Sequence, residues 1–270
     1  MKERVISGLL GALHLLLLTY LGHYWFVFGV GVLVILGTAE FRRLAQAAGV
    51  RLPPVLQIAA ALLYLCLVPA GDWLKHGCFG APGLLGLTVV LLLFGYLVKE
   101  LAQEDTQVAL VKTGVGLLGL VYPGVLLSYI VLIRQLPEDG LLLTIFTYIV
   151  TWSCDTGAYF VGITCGRHKL APKISPNKTI EGAVGGVLIG SAVGTVYLLL
   201  VGFPVLPWAV LALMGSIISL LGDLFESLLK RGANLKDSGD FLPGHGGVLD
   251  RFDSMMFVAP LIYYGALFFS

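Results

Sequence analysis

Between Ser227 and Asp253 a very apolar chain gathers acids, bases, a histidine and a glycine pair within 27 residues. With Asp223 and Glu226 just upstream, the stretch holds six acids (those two with Asp237, Asp240, Asp250 and Asp253) and four bases (Lys230, Arg231, Lys236 and Arg251). Carboxylates are hard oxygen donors of the kind that suit Mg²⁺. Lysine and arginine supply charge for phosphates, the arginines with forked contacts. Gly246 and Gly247, after His245, let a backbone approach a ligand closely and turn N–H groups toward an anion. These are the parts of a phosphoryl- or nucleotidyl-transfer centre. No GxxxxGK[ST] sequence occurs, so the centre is not of the P-loop type.

Spacing groups these residues further. Asp223, Glu226, Ser227 and Lys230 recur at three or four residues and share one face of a helix, and Asp250 and Asp253, three apart, share another. Asp223 ends a long apolar run, whereas Asp250 and Asp253 immediately precede the last one. All three acids therefore sit near a membrane surface, where carboxylates repel one another unless a cation intervenes. The competing interpretation is a solvated charge cluster that only sets topology, but such a loop needs neither the His245 turn nor so many acids.

The elements that position these groups must be membrane helices. With 57% hydrophobic and only 12% charged residues, against about 25% charged in soluble domains, the chain lacks the polar surface to cover a water-soluble globule. Nine apolar segments are long enough to span a bilayer: Val5 to Leu21, Tyr24 to Ala39, Val55 to Gly71, Pro82 to Val98, Thr113 to Ile133, Gly140 to Gly162, Ile180 to Gly202, Val205 to Gly222 and Met255 to Phe269. Pro123 and Pro260 are expected to kink the fifth and ninth. The first has Lys2 and Arg4 before it, as a secretory signal does, but no small-x-small cleavage site follows, so it is expected to stay as an anchor. Residues 1–135 then form an N-terminal set of spans, and residues 136–270 a catalytic region with polar loops at 163–179 and 223–254.

One set of segment ends carries 15 lysines and arginines, and the other carries only Lys75 and Arg134. The positive-inside rule puts the N-terminus and both polar loops in the cytoplasm and, with nine spans, the C-terminus outside. Only Cys78 of the four cysteines falls in an outside loop, so no disulfide is expected, and no CxxC spacing suggests a metal site. No basic run suits nucleic acid. Gly182, Gly186, Gly190 and Gly194 make a smooth stripe for close helix packing, against the same chain or against a second copy in a homodimer.

The pattern Ser-x-Leu-Lys-Arg-x4-Lys-Asp-x-Gly-x2-Leu-Pro-x-His-Gly-Gly-Val-x-Asp-Arg-Phe-Asp, from Ser227 to Asp253, resembles the signature of the phosphatidate cytidylyltransferase (CDP-diacylglycerol synthase) family. Asp155 to Gly162 and Ser175 to Gly182 are similar to that family's other polar block. The resemblance implies the reaction of CTP with phosphatidic acid to give CDP-diacylglycerol and pyrophosphate, with Mg²⁺ required. The lipid phosphate is already anionic at neutral pH because its second pKa is about 6, so positioning and charge neutralisation are the enzyme's task. On that resemblance Asp250 and Asp253, then Asp223, are the expected Mg²⁺ ligands. Lys178, Lys230, Arg231 and Arg251 are expected at phosphates, Ser227, Lys236, Gly246 and Gly247 at substrate, and Asp155 facing a polar cavity. Asp237 would orient Lys236. For His245 a positioning or triphosphate hydrogen bond is preferred over acid–base work. A CTP-dependent polyprenol kinase is the alternative. A transporter is disfavoured because the ionisable residues lie at one membrane face rather than in mid-span.

Overall fold

The computed structural model describes residues 2–67, 109–239, 241 and 246–269. The expected fourth span, the end of the third, Lys75, Cys78, Lys99, Asp240 and His245 lie outside the described residues. The described elements are α1 (Lys2–Leu21), α2 (His23–Ala47), α3 (Val55–Leu67), α4 (Ala109–Arg134), α5 (Gly140–Cys165), β1 (Lys169–Ala171), β2 (Ser175–Thr179), α6 (Ile180–Leu200), α7 (Val205–Gly232) and α8 (Leu249–Phe269). Six of them, α2 and α4 to α8, are long and apolar enough to cross a bilayer. The apolar parts of α1 and α3, Gly8–Leu21 and Val55–Leu65, are shorter. The chain is an all-α polytopic membrane protein, and the nine expected spans correspond to six qualifying helices among the described residues.

Two boundaries differ from expectation, and both matter for chemistry. α7 does not end at Gly222 but runs on to Gly232, and α8 begins at Leu249 rather than Met255. Most of the charged residues expected in a loop at 223–254 are therefore helical. The helix persists because its inward face keeps burying groups: Glu226 is fully buried and Lys230 nearly so. It stops where Asn234 takes a left-handed conformation at φ 55° and Leu235 N–H donates back to the Lys230 carbonyl (2.9 Å), the helix ending that asparagine tolerates. The other expected loop contains the antiparallel β1–β2 hairpin.

Within α4, Pro123 does not break the helix. Its missing N–H is absorbed in a π-helical turn over Val121–Val125, which turns Tyr122 into the core. Pro260 lies inside continuous α8.

The glycine stripe resolves within the chain. A Cβ on Gly186 would lie 2.7 Å from the Cys154 carbonyl oxygen and 2.7 Å from Ala158 Cβ, and one on Gly190 would lie 3.0 Å from Cys154 Cβ. α6 thus seats directly on the backbone of α5. Gly222 does the same for α7 and α8, since its Cβ would come 2.8 Å from the Asp253 carbonyl oxygen. Buried side chains of α2, α4, α5, α7 and α8, such as Val34, Ile130, Val150, Leu211 and Val258, belong to one core. Helices from the N-terminal and C-terminal parts of the chain are therefore packed together. Arg134 donates through Nε to the Thr19 carbonyl at the end of α1 (2.8 Å), where a cation complements the helix dipole.

Candidate active site

Four elements bring the charged groups together. α5 contributes Asp155, ten residues before its end, or about 15 Å along the helix axis at 1.5 Å per residue. β2 contributes Lys178, α7 contributes Asp223, Glu226 and Lys230, and α8 contributes Asp250, Arg251 and Asp253. The hairpin aims Lys178 because Thr179, buried at the end of β2, accepts from the Gly182 N–H through its hydroxyl (3.1 Å) and caps α6. Glu181 fastens the start of the hairpin, accepting from the Arg167 N–H (3.0 Å) and the His168 N–H (3.1 Å).

Lys178 pairs with Asp223. One helical turn further, the Lys230 ammonium lies between Glu226 and Asp250, reaching Asp250 Oδ1 at 2.6 Å. Both carboxylate side chains of that bridge are almost fully buried, at 1% and 5% exposure. Asp155 lies in Coulombic range of Asp223, Lys178 and Arg251, and Asp253 in range of Asp223, Glu226 and Asp155. The close α7–α8 approach at Gly222 sets Asp223 and Asp253 against each other. Asp253 accepts the Ser254 N–H (2.6 Å). Five carboxylates thus face three cations, Lys178, Lys230 and Arg251, and when all are ionised two negative charges remain in excess.

Asp250, one of the expected metal ligands, is held by four donors of the protein. Its Oδ2 accepts from the Ser238 N–H (2.8 Å), the Ser238 hydroxyl (2.9 Å) and the Gly247 N–H (2.7 Å), and its Oδ1 takes Lys230. The carboxylate is occupied in folding the loop back onto α8. Gly246 and Gly247 lie against the same carboxylate. The anion that meets the Gly247 N–H belongs to the protein itself, and Gly246, at φ 83°, has Asp250 Oδ2 where a Cβ would stand. The remaining expected residues are dispersed. Arg231 is exposed and donates to the Ile174 carbonyl (3.2 Å) and the Leu235 carbonyl (3.1 Å), tying α7 to the hairpin turn. Lys236 and Asp237 are exposed, and Ser227 is half-buried on α7.

Two neighbours of the cluster come from the N-terminal half and were not expected from the sequence. Glu40 of α2 is 4% exposed and accepts from the Ser238 hydroxyl (3.1 Å), the Val248 N–H (2.9 Å) and the Leu249 N–H (2.9 Å). Tyr122 of α4, ringed by Phe41, Phe225 and Phe257, lies in Coulombic range of Glu226, Asp253, Asp250 and Asp223. An acid at the end of an apolar run was a usable signal for Glu40.

The donor set fits a hard divalent cation by chemistry and by charge, because Asp155, Asp223 and Asp253 are oxygen donors within a site of excess negative charge. Among the described residues no three carboxylates stand at ligand distance.

Comparison with known proteins places the chain in a family. The Cytidylyltransferase family matches residues 2–269. A phosphatidate cytidylyltransferase of Bacillus subtilis is 38% identical over 279 residues, covering 100% of this chain and 99% of its own. Those of Staphylococcus haemolyticus and Synechocystis are each 34% identical and cover 97% of this chain, with 97% and 95% of their own lengths matched.

Proposed function

We infer the function from the premise that the chain belongs to the Cytidylyltransferase family: it is a phosphatidate cytidylyltransferase. It joins CTP and phosphatidate to give CDP-diacylglycerol and pyrophosphate. The carrying observation is full-length similarity to phosphatidate cytidylyltransferases, together with a charged centre whose cations and carboxylates face one another where α5, α7 and α8 converge.

The acceptor phosphate arrives ionised, so no group here has to remove a proton from it. The barrier is the approach of two anionic phosphates, and the chain's own residues lower it by placement and charge. Lys178 and Arg251, at the side of the cluster nearest Asp155 and Asp223, are the cations placed to face phosphate oxygens. Lys230 and Asp250 hold the loop from Ser238 to Gly247 against the start of α8. Asp223, Asp253 and Asp155 would hold Mg²⁺, which when bound supplies a Lewis-acid contact to phosphate oxygens. With Asp250 and Asp253 in the first turns of α8, a site near the membrane boundary would let CTP enter from water and the lipid headgroup enter sideways from the leaflet. The orientation follows from the basic residues, with the hairpin and the Ser238 loop cytoplasmic and the C-terminus outside, in a cell membrane.

Purified protein with Mg²⁺ and phosphatidic acid should carry α-label from CTP into the organic phase and release γ-label as pyrophosphate. Transfer of γ-label to a lipid alcohol, faster than α-label reaches phosphatidic acid, would instead identify a kinase.

A further inference from the structure

α8 has no capping side chain of its own. The residue before its first turn is Val248, whose carbonyl accepts from the Phe252 N–H (3.1 Å) but whose side chain offers no acceptor. The free N–H groups of Val248 and Leu249 would be buried without partners, yet both donate to a carboxylate 208 and 209 residues earlier in the chain, that of Glu40. The same carboxylate accepts from the Ser238 hydroxyl, which also reaches Asp250. Glycine is required on both flanks, because a Cβ on Gly239 would lie 2.7 Å from Glu40 Oε1 and one on Gly247 would overlap Glu40 Oε2. Glu40 is thus threaded between the two ends of the Ser238–Gly247 loop. It sets the position of the helix that carries Asp250, Arg251 and Asp253.

We propose that Glu40 is a positioning residue for cytidylyl transfer, fixing from the N-terminal half the first turn of α8 and with it the alignment of Asp253 and Arg251. An anion at a helix start also compensates the helix dipole. Gln at position 40 has nearly the same volume, but either orientation of its amide sets an N–H₂ against the Val248 or the Leu249 N–H. One buried backbone donor is then orphaned, and the first turn shifts to find a partner.

The test uses the detergent-solubilised full chain, with wild type, Glu40→Gln, Ser238→Ala and the double variant assayed for α-label transfer to phosphatidic acid, each with a thermal transition. E40Q is expected to lower kcat at least about 10-fold, since small misplacements of reacting groups cost up to ~10²-fold. KM for CTP should stay within about 3-fold, because the described cations are untouched. The double variant should lose less than the product of the single losses, as residues in one network do. S238A carries the same kcat against KM comparison if E40Q does not survive extraction. A wild-type kcat in E40Q, multiplicative losses in the double variant, or a loss wholly in KM would overturn the proposal. The proposal rests on the transfer reaction, and failure of wild type to label phosphatidic acid would speak against that reaction rather than against Glu40.

Discussion

Replacing Asp250 by asparagine separates two jobs that its position in the signature leaves merged. The side chain keeps its shape, yet four donors converge on the carboxylate: Lys230 on Oδ1 at 2.6 Å, and Ser238 N–H, Ser238 hydroxyl and Gly247 N–H on Oδ2 at 2.7 to 2.9 Å. The better amide orientation keeps its oxygen toward the loop and turns N–H₂ toward an ammonium. It forfeits one charge-assisted bond, about 1.5–3 kcal/mol, and weakens the other three, which now end on a neutral acceptor of roughly half the strength. A total of roughly 3–5 kcal/mol corresponds to a loss of at least ~10²-fold in the organised loop, at 1.36 kcal/mol per decade. Initial rates of CDP-diacylglycerol formation, measured across a Mg²⁺ titration, should therefore show Asp250→Asn lowered at every concentration with its Mg²⁺ midpoint unchanged. Asp253→Asn should behave differently, with turnover at least ~100-fold down at limiting Mg²⁺ and the midpoint displaced upward, as loss of a metal ligand requires. Recovery of the Asp250 variant by excess Mg²⁺, with no midpoint change in the Asp253 variant, would refute this assignment.

Lys230→Met strands the buried Glu226 and Asp250 carboxylates and is expected to cost about 3–5 kcal/mol, read as a lowered thermal transition in detergent; adding Glu226→Gln should restore part of the transition but not turnover. Gly186→Ala presses a methyl against the Cys154 carbonyl at 2.7 Å and should destabilise by about 1–3 kcal/mol, whereas Gly114→Ala, with nothing within 4 Å, should leave the transition unchanged or slightly raised. In a background with Cys66, Cys78, Cys154 and Cys165 replaced, cysteines at the exposed Lys173 and Asp237 should react with an impermeant thiol reagent only after lysis, and one at the exposed Glu138 should react in intact cells; labelling of Asp237→Cys from outside would reverse the orientation. Ser238 is unsuitable for that probe, being 3% exposed and bonded to Asp250.

Composition and periodicity alone determined that this is a membrane protein, because apolar runs of bilayer length are local, additive properties of the chain, and the one-sided distribution of lysine and arginine led to the expectation that its chemistry lies at one face. Helical spacing also sufficed to put Asp223, Glu226 and Lys230 on one face, since three- and four-residue separations translate directly into neighbours. The glycine stripe announced close packing, but only the tertiary structure chose α5 as its neighbour, for any smooth helix face satisfies the same pattern. Which partners each acid meets was likewise decided in three dimensions. Asp250 and Asp253 are equivalent by type and spacing, yet the fold turns one toward Lys230, Ser238 and Gly247 and leaves the other facing Asp223 and Asp155. The Gly246-Gly247 pair signalled close approach of an anion, and sequence has no means of telling a ligand phosphate from the protein's own Asp250 and Glu40. Glu40 shows the reason most directly: a hydrogen bond spanning 209 positions leaves no periodicity in the chain, and arises only where packing of α2 against α8 brings a buried carboxylate to backbone N–H groups that have no other partner.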